Sequence, residues 1–125
     1  MNGDKFLLDS NILIYLSKNI LEAKTFTKRE DIPHISIITY MEIMGHCYKN
    51  IQEEKFMKQF CVSTYIFSLN DEIVNKVIAL KNKHKIKLPD AIIAATAIES
   101  KLKLVTRNTN DFKNIPELNL FNPFN

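Results

Sequence analysis

Short apolar runs alternate along this chain with longer segments whose apolar residues recur at helical spacing. Tyr65–Phe67, for example, precedes Asp71–Lys83, in which the apolar residues form a stripe along one helical face. Strands that alternate with helices form a parallel sheet that helices cover on both faces. The sequence therefore predicts an α/β fold with three α/β/α layers and a central parallel sheet of four to five strands. The runs that we interpret as strands are Lys5–Leu8, His34–Ile37, Tyr65–Phe67, Leu102–Thr106 and Asn119–Phe121.

Helix signals occupy the segments between these runs. A helix is expected directly after the first run, capped by Ser10 or Asn11. Pro89 is expected at the first position of another helix, where proline fixes φ, and Asp90 in its first turn, where an acidic group complements the helix dipole. The other expected helices cover Ile20–Arg29, the segment from Ser36 or Thr39 through Glu42 towards Tyr48, Gln52–Cys61 and Asp71–Lys83.

The composition is that of one globular domain. The 125 residues are 46% hydrophobic and 25% charged, and we expect residues 1–125 to form a single domain with a sizeable core. No apolar run approaches the ~20 residues that span a bilayer, and the N-terminus lacks the pattern of a secretory signal. We therefore expect a cytoplasmic protein that does not enter a membrane. The cysteines form no CxxC motif and the histidines are scattered, which indicates neither a disulfide framework nor a zinc site.

Acidic residues stand at four places where an apolar segment ends or a polar turn begins, namely Asp9, Glu42, Asp90 and Asp111. In an open parallel sheet, ligands bind beyond the carboxyl ends of the strands, where such residues can meet. If these carboxylates converge, the chemistry that they best support is the binding of Mg²⁺ or Mn²⁺ against a phosphate. A divalent cation relieves the repulsion between neighbouring carboxylates.

Each of these acids alone has a simpler structural explanation. Glu42 completes the capping-box pattern that begins at Thr39. Asp90 complements the dipole of its helix, while Asp9 and Asp111 fit turns. Only their combination points to a metal site.

The distribution of charge is compatible with an anionic polymer as ligand. The net charge is +3, and setting the four acids aside leaves ten acidic residues against 17 Lys and Arg, or about +7. An acidic cleft in a basic surface suits a nucleic acid, although lysines also keep a protein soluble. The run Lys81–Lys87 leads into the Asp90 helix and is either an RNA-backbone patch, through Lys83, Lys85 and Lys87, or a solvated face.

Several segments together carry a resemblance to a known family. They are LLDSNILIYL, SIITYMEIMG, LPDAIIAATAI followed by KLKLVTRNTNDF, and the terminal LNLFNP. In order and spacing they resemble the PIN-domain ribonucleases, specifically the VapC-type toxins of toxin–antitoxin pairs. The resemblance covers essentially the whole chain. It implies a PIN-like fold and a Mg²⁺- or Mn²⁺-dependent endoribonuclease that leaves a 5′-phosphate and a 3′-hydroxyl.

Matched by position, the resemblance implies which residues act. Asp9 and Asp90 would be the principal metal ligands, and Glu42 would be the third acid of the site. Ser10 and Asn11 would shape the pocket that receives the substrate.

The fourth acid departs from the pattern of the family. Many relatives carry an acid two residues after the threonine of this segment, where this chain has Asn108. Either Asp111 supplies the carboxylate or Asn108 acts as a neutral ligand. Thr106 would orient a metal-bound water or a neighbouring carboxylate, and Arg107 would hold a phosphate or pair with one of the acids.

The resemblance also implies partners: an RNA substrate, a small antitoxin that occludes the groove, and a second copy of the chain in a homodimer. One alternative is a non-catalytic RNA-binding or scaffold module on the same fold, which Asn108 favours. A second alternative is a housekeeping PIN nuclease that processes RNA. An aspartyl phosphotransferase is a further possibility, since an aspartate that ends the first strand can accept a phosphoryl group.

Overall fold

The computed structural model describes residues 5–25 and 32–124. Five parallel strands form one sheet: β1 (Phe6–Leu8), β2 (His34–Ser36), β3 (Tyr65–Phe67), β4 (Lys103–Val105) and β5 (Leu120–Phe121). Their order across the sheet is β3-β2-β1-β4-β5, so β1 lies at the centre with β2 and β4 on either side. Leu8 is paired with Val105, and Ser36 with Phe67, so the carboxyl ends of the strands share one edge.

In the described part of the chain, five α-helices connect the strands: α1 (Ser10–Ser17), α2 (Ile37–Met44), α3 (Ile51–Val62), α4 (Asp71–Lys83) and α5 (Leu88–Ser100). Short 3₁₀ helices cover Ala23–Thr25 and Thr109–Asp111. None of the helices in residues 5–25 and 32–124 has the length and apolar character required to cross a membrane.

Apolar side chains of the sheet form a core on each of its faces. Successive residues of a strand point to opposite faces, so Leu7 and Leu104 join one core while Leu8 and Val105 join the other. The first core also contains buried residues of α4 and α5, and the second contains buried residues of α1 and α3. This arrangement confirms the predicted α/β/α layers around a parallel sheet.

The start of α1 differs from the sequence-based expectation, and the start of α2 agrees with one of its two predicted caps. Helix α1 is capped by Asp9 and not by Ser10 or Asn11, because Asp9 keeps the extended backbone in which β1 ends, at φ −74° and ψ 159°. Helix α2 begins at Ile37 with Ser36 as its cap. Thr39 therefore lies inside α2, and the capping-box interpretation of Glu42 is wrong.

Other boundaries differ more modestly. The helix expected over Ile20–Arg29 is wrong at its start, because residues 20–22 are not helical and only Ala23–Thr25 forms a 3₁₀ turn. Residues 26–29 lie outside the described part of the chain. Helix α2 ends at Met44 instead of continuing towards Tyr48, and Pro89 is the second residue of α5 instead of the first.

Candidate active site

Asp9 stands at the centre of the rim formed by the carboxyl ends of the strands. It is only 7% exposed, because it directly follows the central strand β1 and begins α1. Its Oδ1 accepts a hydrogen bond from the Ser10 amide at 2.8 Å, and its Oδ2 accepts one from the Thr106 hydroxyl at 2.8 Å. Both carboxylate oxygens are therefore held in a fixed orientation.

Thr106 connects Asp9 to the loop that follows β4. The residue is fully buried, and its amide donates to the Phe121 carbonyl at 3.1 Å. Its Oγ1 accepts from the Asn108 amide at 3.0 Å and more weakly from Asn11 Nδ2 at 3.4 Å. Of the two roles expected for Thr106, contact with a neighbouring carboxylate is the one that this geometry favours.

Glu42 approaches the rim from helix α2. Its Oε1 accepts a hydrogen bond from the Ser10 hydroxyl at 2.6 Å, and the side chain is otherwise exposed. Because Ser10 also donates its amide to Asp9, this one residue links two of the predicted acids. Thr39, three residues earlier in α2, is buried, and its hydroxyl has no hydrogen-bond partner in the described part of the chain.

Asp90 reaches the same rim because of the direction of its helix. Helix α5 leads directly into β4, so it ends near the amino ends of the strands and its N-terminus lies towards their carboxyl ends. Asp90 is in the first turn of α5 and is half-buried, and the cap residue Lys87 makes no side-chain hydrogen bond to that turn. Asp111, at the end of the second 3₁₀ helix, is exposed.

The pKa of Asp9 is raised above its ordinary value, chiefly because burial penalises the charged form. The hydrogen bonds from Thr106 and Ser10 act in the opposite direction, since they stabilise the carboxylate. The negative charges of Glu42 and Asp111 raise the pKa further.

The pKa of Asp90 is also raised, and again burial is the largest cause. The charges of Asp111, Asp9 and Glu42 add to the rise, while the ammonium group of Lys87 opposes it. Glu42 and Asp111 thus act electrostatically on both Asp9 and Asp90, and Asp9 acts on Asp90. The structure brings them to one rim.

The acids at the rim are farther apart than the ligands of a complete metal site. Within residues 5–25 and 32–124, no group of three or more Asp, Glu, His or Cys side chains is close enough to hold one ion as it stands. The donor set still fits Mg²⁺ in its chemistry, because Mg²⁺ prefers oxygen ligands and keeps several of its waters. Two carboxylates that bind Mg²⁺ directly, with the other acids contacting it through bound waters, would complete its coordination.

Arg107 is not paired with any of the acids. Its guanidinium lies over the rings of Phe124 and Tyr15, with 4.3 Å and 5.2 Å from Cζ to the ring centroids. These two rings meet edge to face at 5.0 Å. The expectation of an ion pair is therefore wrong, while phosphate binding by the exposed Arg107 stays a prediction. Neighbouring Asn108 makes no side-chain cap, and its role as a neutral ligand also stays a prediction.

The basic segment leading into α5 divides into two parts. The Lys81 ammonium group donates to the Ile86 carbonyl at 2.7 Å, so this lysine holds the turn. Lys83, Lys85 and Lys87 are exposed, and all three line a cavity that ends at Asp90 and Asp111. Sequence reasoning missed the residues of the opposite wall, Asn110 and Asn114, because exposed asparagines in a turn carry no distinguishing signal.

The comparison with known proteins decides the family. The PIN domain profile matches residues 6–118, almost the whole chain. The chain belongs to the PIN-domain family. A search of curated proteins found no significant match.

Solved structures show the same PIN architecture. A toxin–antitoxin complex from Klebsiella pneumoniae contains a chain that is 35% identical, with a TM-score of 0.75 over 95% of this PIN domain and 98% of that chain. VapBC-1 from nontypeable Haemophilus influenzae is 25% identical, with a TM-score of 0.75 over 96% and 98% of the two chains. VapBC2 from Rickettsia felis, bound to a DNA fragment from the promoter, is 24% identical and has a TM-score of 0.76 over 94% and 97%. The predicted resemblance to VapC-type PIN proteins is confirmed.

Proposed function

We propose that this PIN-domain protein is a Mg²⁺- or Mn²⁺-dependent endoribonuclease that acts as the toxin of a type II toxin–antitoxin pair. The observation that carries the proposal is the set of mutually repelling carboxylates at the carboxyl rim of the sheet. Such charges are costly unless a cation compensates them, so the rim is built for a ligand and not for stability. Together with the family, that points to phosphodiester hydrolysis.

Asp9 and Asp90 are the proposed principal metal ligands, because they are the more buried of the four acids. Glu42 and Asp111 are exposed and complete the negative field around them. When bound, the metal ion would supply Lewis-acid chemistry that activates water and neutralises charge on the phosphate. Thr106 keeps the carboxylate of Asp9 turned towards the rim.

The remaining residues act on the substrate and on the geometry of the acids. Ser10 fixes Glu42 by its hydroxyl, and Asn11 reaches Thr106 with its amide group. Lys85 and Lys87 would contact phosphates of the RNA backbone near the scissile bond, because both line the cavity that Asp90 also lines. The cleavage needs no ribose 2′-hydroxyl, and its expected products carry a 5′-phosphate and a 3′-hydroxyl.

Two protein partners belong to the proposal. Solved relatives are toxin–antitoxin complexes, which supports a small antitoxin as a partner of this chain. Such a partner would cover the acidic rim and the basic turn beside it. We also propose that the chain forms a homodimer.

The test is cleavage of a total RNA pool in Mg²⁺, in Mn²⁺ and in EDTA by antitoxin-free protein. We expect discrete fragments with 5′-phosphate ends in either metal and none in EDTA. Asp90→Asn should reduce cleavage more than about 100-fold, because losing even an outer-shell partner of a metal typically costs about 10- to 100-fold. Asp71→Asn is the matched control, since Asp71 lies in the first turn of α4 and is not among the main charges that raise the pKa of Asp9 or Asp90.

One observation favours a second candidate, a non-catalytic RNA-binding module. The acids do not form a closed cage within the described residues, and Asn108 replaces an expected acid. Folded wild-type protein that binds RNA in Mg²⁺ and in Mn²⁺ but leaves it intact would establish this candidate in place of the nuclease.

A further inference from the structure

A cavity of about 390 Å³ opens beside the acidic rim. One wall is the turn between α4 and α5, residues 83–87, and the other is the segment of residues 110–115. Asp90 and Asp111 lie on the same cavity lining, so the cavity is continuous with the candidate active site. Its volume falls in the range of about 300–1,000 Å³ that is typical of small-ligand sites.

Both walls of the cavity are held by the fold. Ile86 is buried in the core, and its carbonyl accepts the hydrogen bond from the Lys81 ammonium group. On the other side, Phe112 and Ile115 are buried, and the Ile115 amide donates to the Phe112 carbonyl at 3.3 Å. The cavity is therefore preformed, and a ligand entering it need not order either wall.

The chemistry of the lining matches the parts of a nucleotide. Ile86 and Ile115 supply apolar surface, and the half-buried imidazole of His84 offers an aromatic face for a base. Asn110 and Asn114 are exposed, and neither side chain has a hydrogen-bond partner within the described residues. Each amide carries donors and an acceptor, which are the groups that read base edges.

The charged side chains that line the cavity determine how a nucleotide is oriented in it. Lys85 and Lys87 lie on the turn and can hold the phosphates that flank the base. The acidic end, at Asp90 and Asp111, repels a bare phosphate and accepts one only together with a metal ion. A free anion alone therefore does not suit this cavity.

We propose that this cavity binds one unpaired nucleotide of the RNA next to the scissile phosphate, and that Asn110 and Asn114 select its base. The inference rests on the proposed function and adds to it the residues that determine where the RNA is cut. Buried Phe112 and Ile115 suit this role, since they fix the wall that carries the two asparagines.

The first arm of the test maps cleavage sites in total RNA for wild type, the double variant Asn110→Ala/Asn114→Ala, and the control Asn75→Ala. Asn75 is an exposed asparagine on α4 outside the cavity. We expect the wild type and the control to share a base preference beside the cleaved bond. In the double variant that preference should fall about tenfold.

The second arm measures binding without cleavage. Asp9→Asn protein, with and without the two asparagine changes, is titrated in Mg²⁺ against a labelled single-stranded RNA oligonucleotide of random sequence. The asparagine changes should weaken binding about tenfold. Lys85→Gln should also weaken it, whereas Lys55→Gln, on the exposed face of α3, should leave it unchanged.

The outcomes separate the two proposals. Cleavage by a wild type that has no base preference, or a double variant with unchanged preference and affinity, overturns the nucleotide site and leaves the nuclease intact. Absence of cleavage in Mg²⁺ and Mn²⁺ overturns the nuclease, and the binding arm then decides on the nucleotide site alone. Equal melting temperatures of the variants and the wild type verify that the changes act locally.

Discussion

At the scale of single residues, two buried threonines of this chain have opposite surroundings. The hydroxyl of Thr106 donates to Asp9 and accepts from the Asn108 amide. The hydroxyl of Thr39 is equally buried but has no partner among the described residues. A buried hydroxyl contributes to stability only when its hydrogen bonds are made. The two positions therefore form a natural pair for testing what the Thr106 hydroxyl does.

We expect Thr106→Val to destabilise the protein by about 1–3 kcal/mol, because it leaves a buried carboxylate oxygen of Asp9 without its donor. Cleavage in Mg²⁺ should fall about 10- to 100-fold, as is usual when a group that orients a metal ligand is removed. Urea denaturation and the Mg²⁺ dependence of cleavage measure the two effects.

The controls separate the hydroxyl from the volume of the side chain. Thr106→Ser keeps the hydroxyl and should retain most of the activity. Thr39→Val makes the same chemical change at a hydroxyl without a partner, and should be neutral or stabilising. Equal losses in Thr106→Val and Thr106→Ser would show that packing, and not the hydrogen bond to Asp9, is what matters.

At the scale of elements, α5 positions Asp90 by lying close to its neighbours. Ala91, Ala94 and Ala97 are fully buried on this helix, in the same core as the buried residues of α4. Small side chains allow the helix to approach closely, which keeps its first turn at the rim of the sheet.

Ala94→Leu should therefore destabilise the protein by about 1–3 kcal/mol, because added methyl groups in a filled core force shifts of backbone or side chains. The same shift should weaken Mg²⁺ binding, since Asp90 moves with the helix. Glu99→Leu, on the exposed face of α5, adds a leucine without overpacking the core. Denaturation midpoints similar for the two variants would contradict a tightly packed α5.

What the sequence predicts well at this scale is what a local pattern determines. The bounds of β3 and α4 are as predicted, because β-branched and aromatic residues mark one and a clear apolar stripe marks the other. The cap of α1 was missed because it depends on where the central strand ends, which pairing with β4 determines. Likewise, neither the aromatic partners of Arg107 nor the amides of the cavity can be read from their neighbours in sequence. The four acids were singled out because each stands where an apolar segment ends or a polar turn begins, and only Asp9, Glu42 and Asp90 also fit the family pattern.

At the scale of the whole molecule, the acidic rim lowers the stability of the metal-free protein and favours the binding of a cation. We expect Asp90→Asn to raise the melting temperature of the metal-free protein at pH 7. Burial of Asp90, and the charges of Asp111 and Asp9, raise its pKa in the folded state, so ionised Asp90 disfavours folding. The protonated Asp90 carboxyl contributes favourably to the free energy of unfolding. This contribution is complete below the ordinary carboxyl pKa of about 3.9 and is lost as the pH rises through the raised pKa of the folded state. The difference in melting temperature between Asp90→Asn and the wild type should therefore shrink as the pH falls.

Calorimetry in EDTA across this pH range measures the effect, and Asp71→Asn is its control. Asp71 favours the N-terminus of α4 through the helix dipole, so its removal should not raise the melting temperature. Added Mg²⁺ should reverse the order of wild type and Asp90→Asn, because a ligand at 100 times its Kd stabilises by about 2.7 kcal/mol. A metal-free Asp90→Asn protein less stable than the wild type at pH 7 would contradict the strained rim.

The hydrogen bond between Thr106 and Asp9 joins residues 97 positions apart in the sequence. The central strand on which Asp9 stands also pairs with β4, near the end of the chain. A chain emerging from the ribosome therefore carries Asp9 and Glu42 early, but it has no second side of the rim until β4 and the loop after it have been made. Any activity of this rim therefore requires β4 and the loop after it, and we expect fragments cut short before residue 106 to be inert.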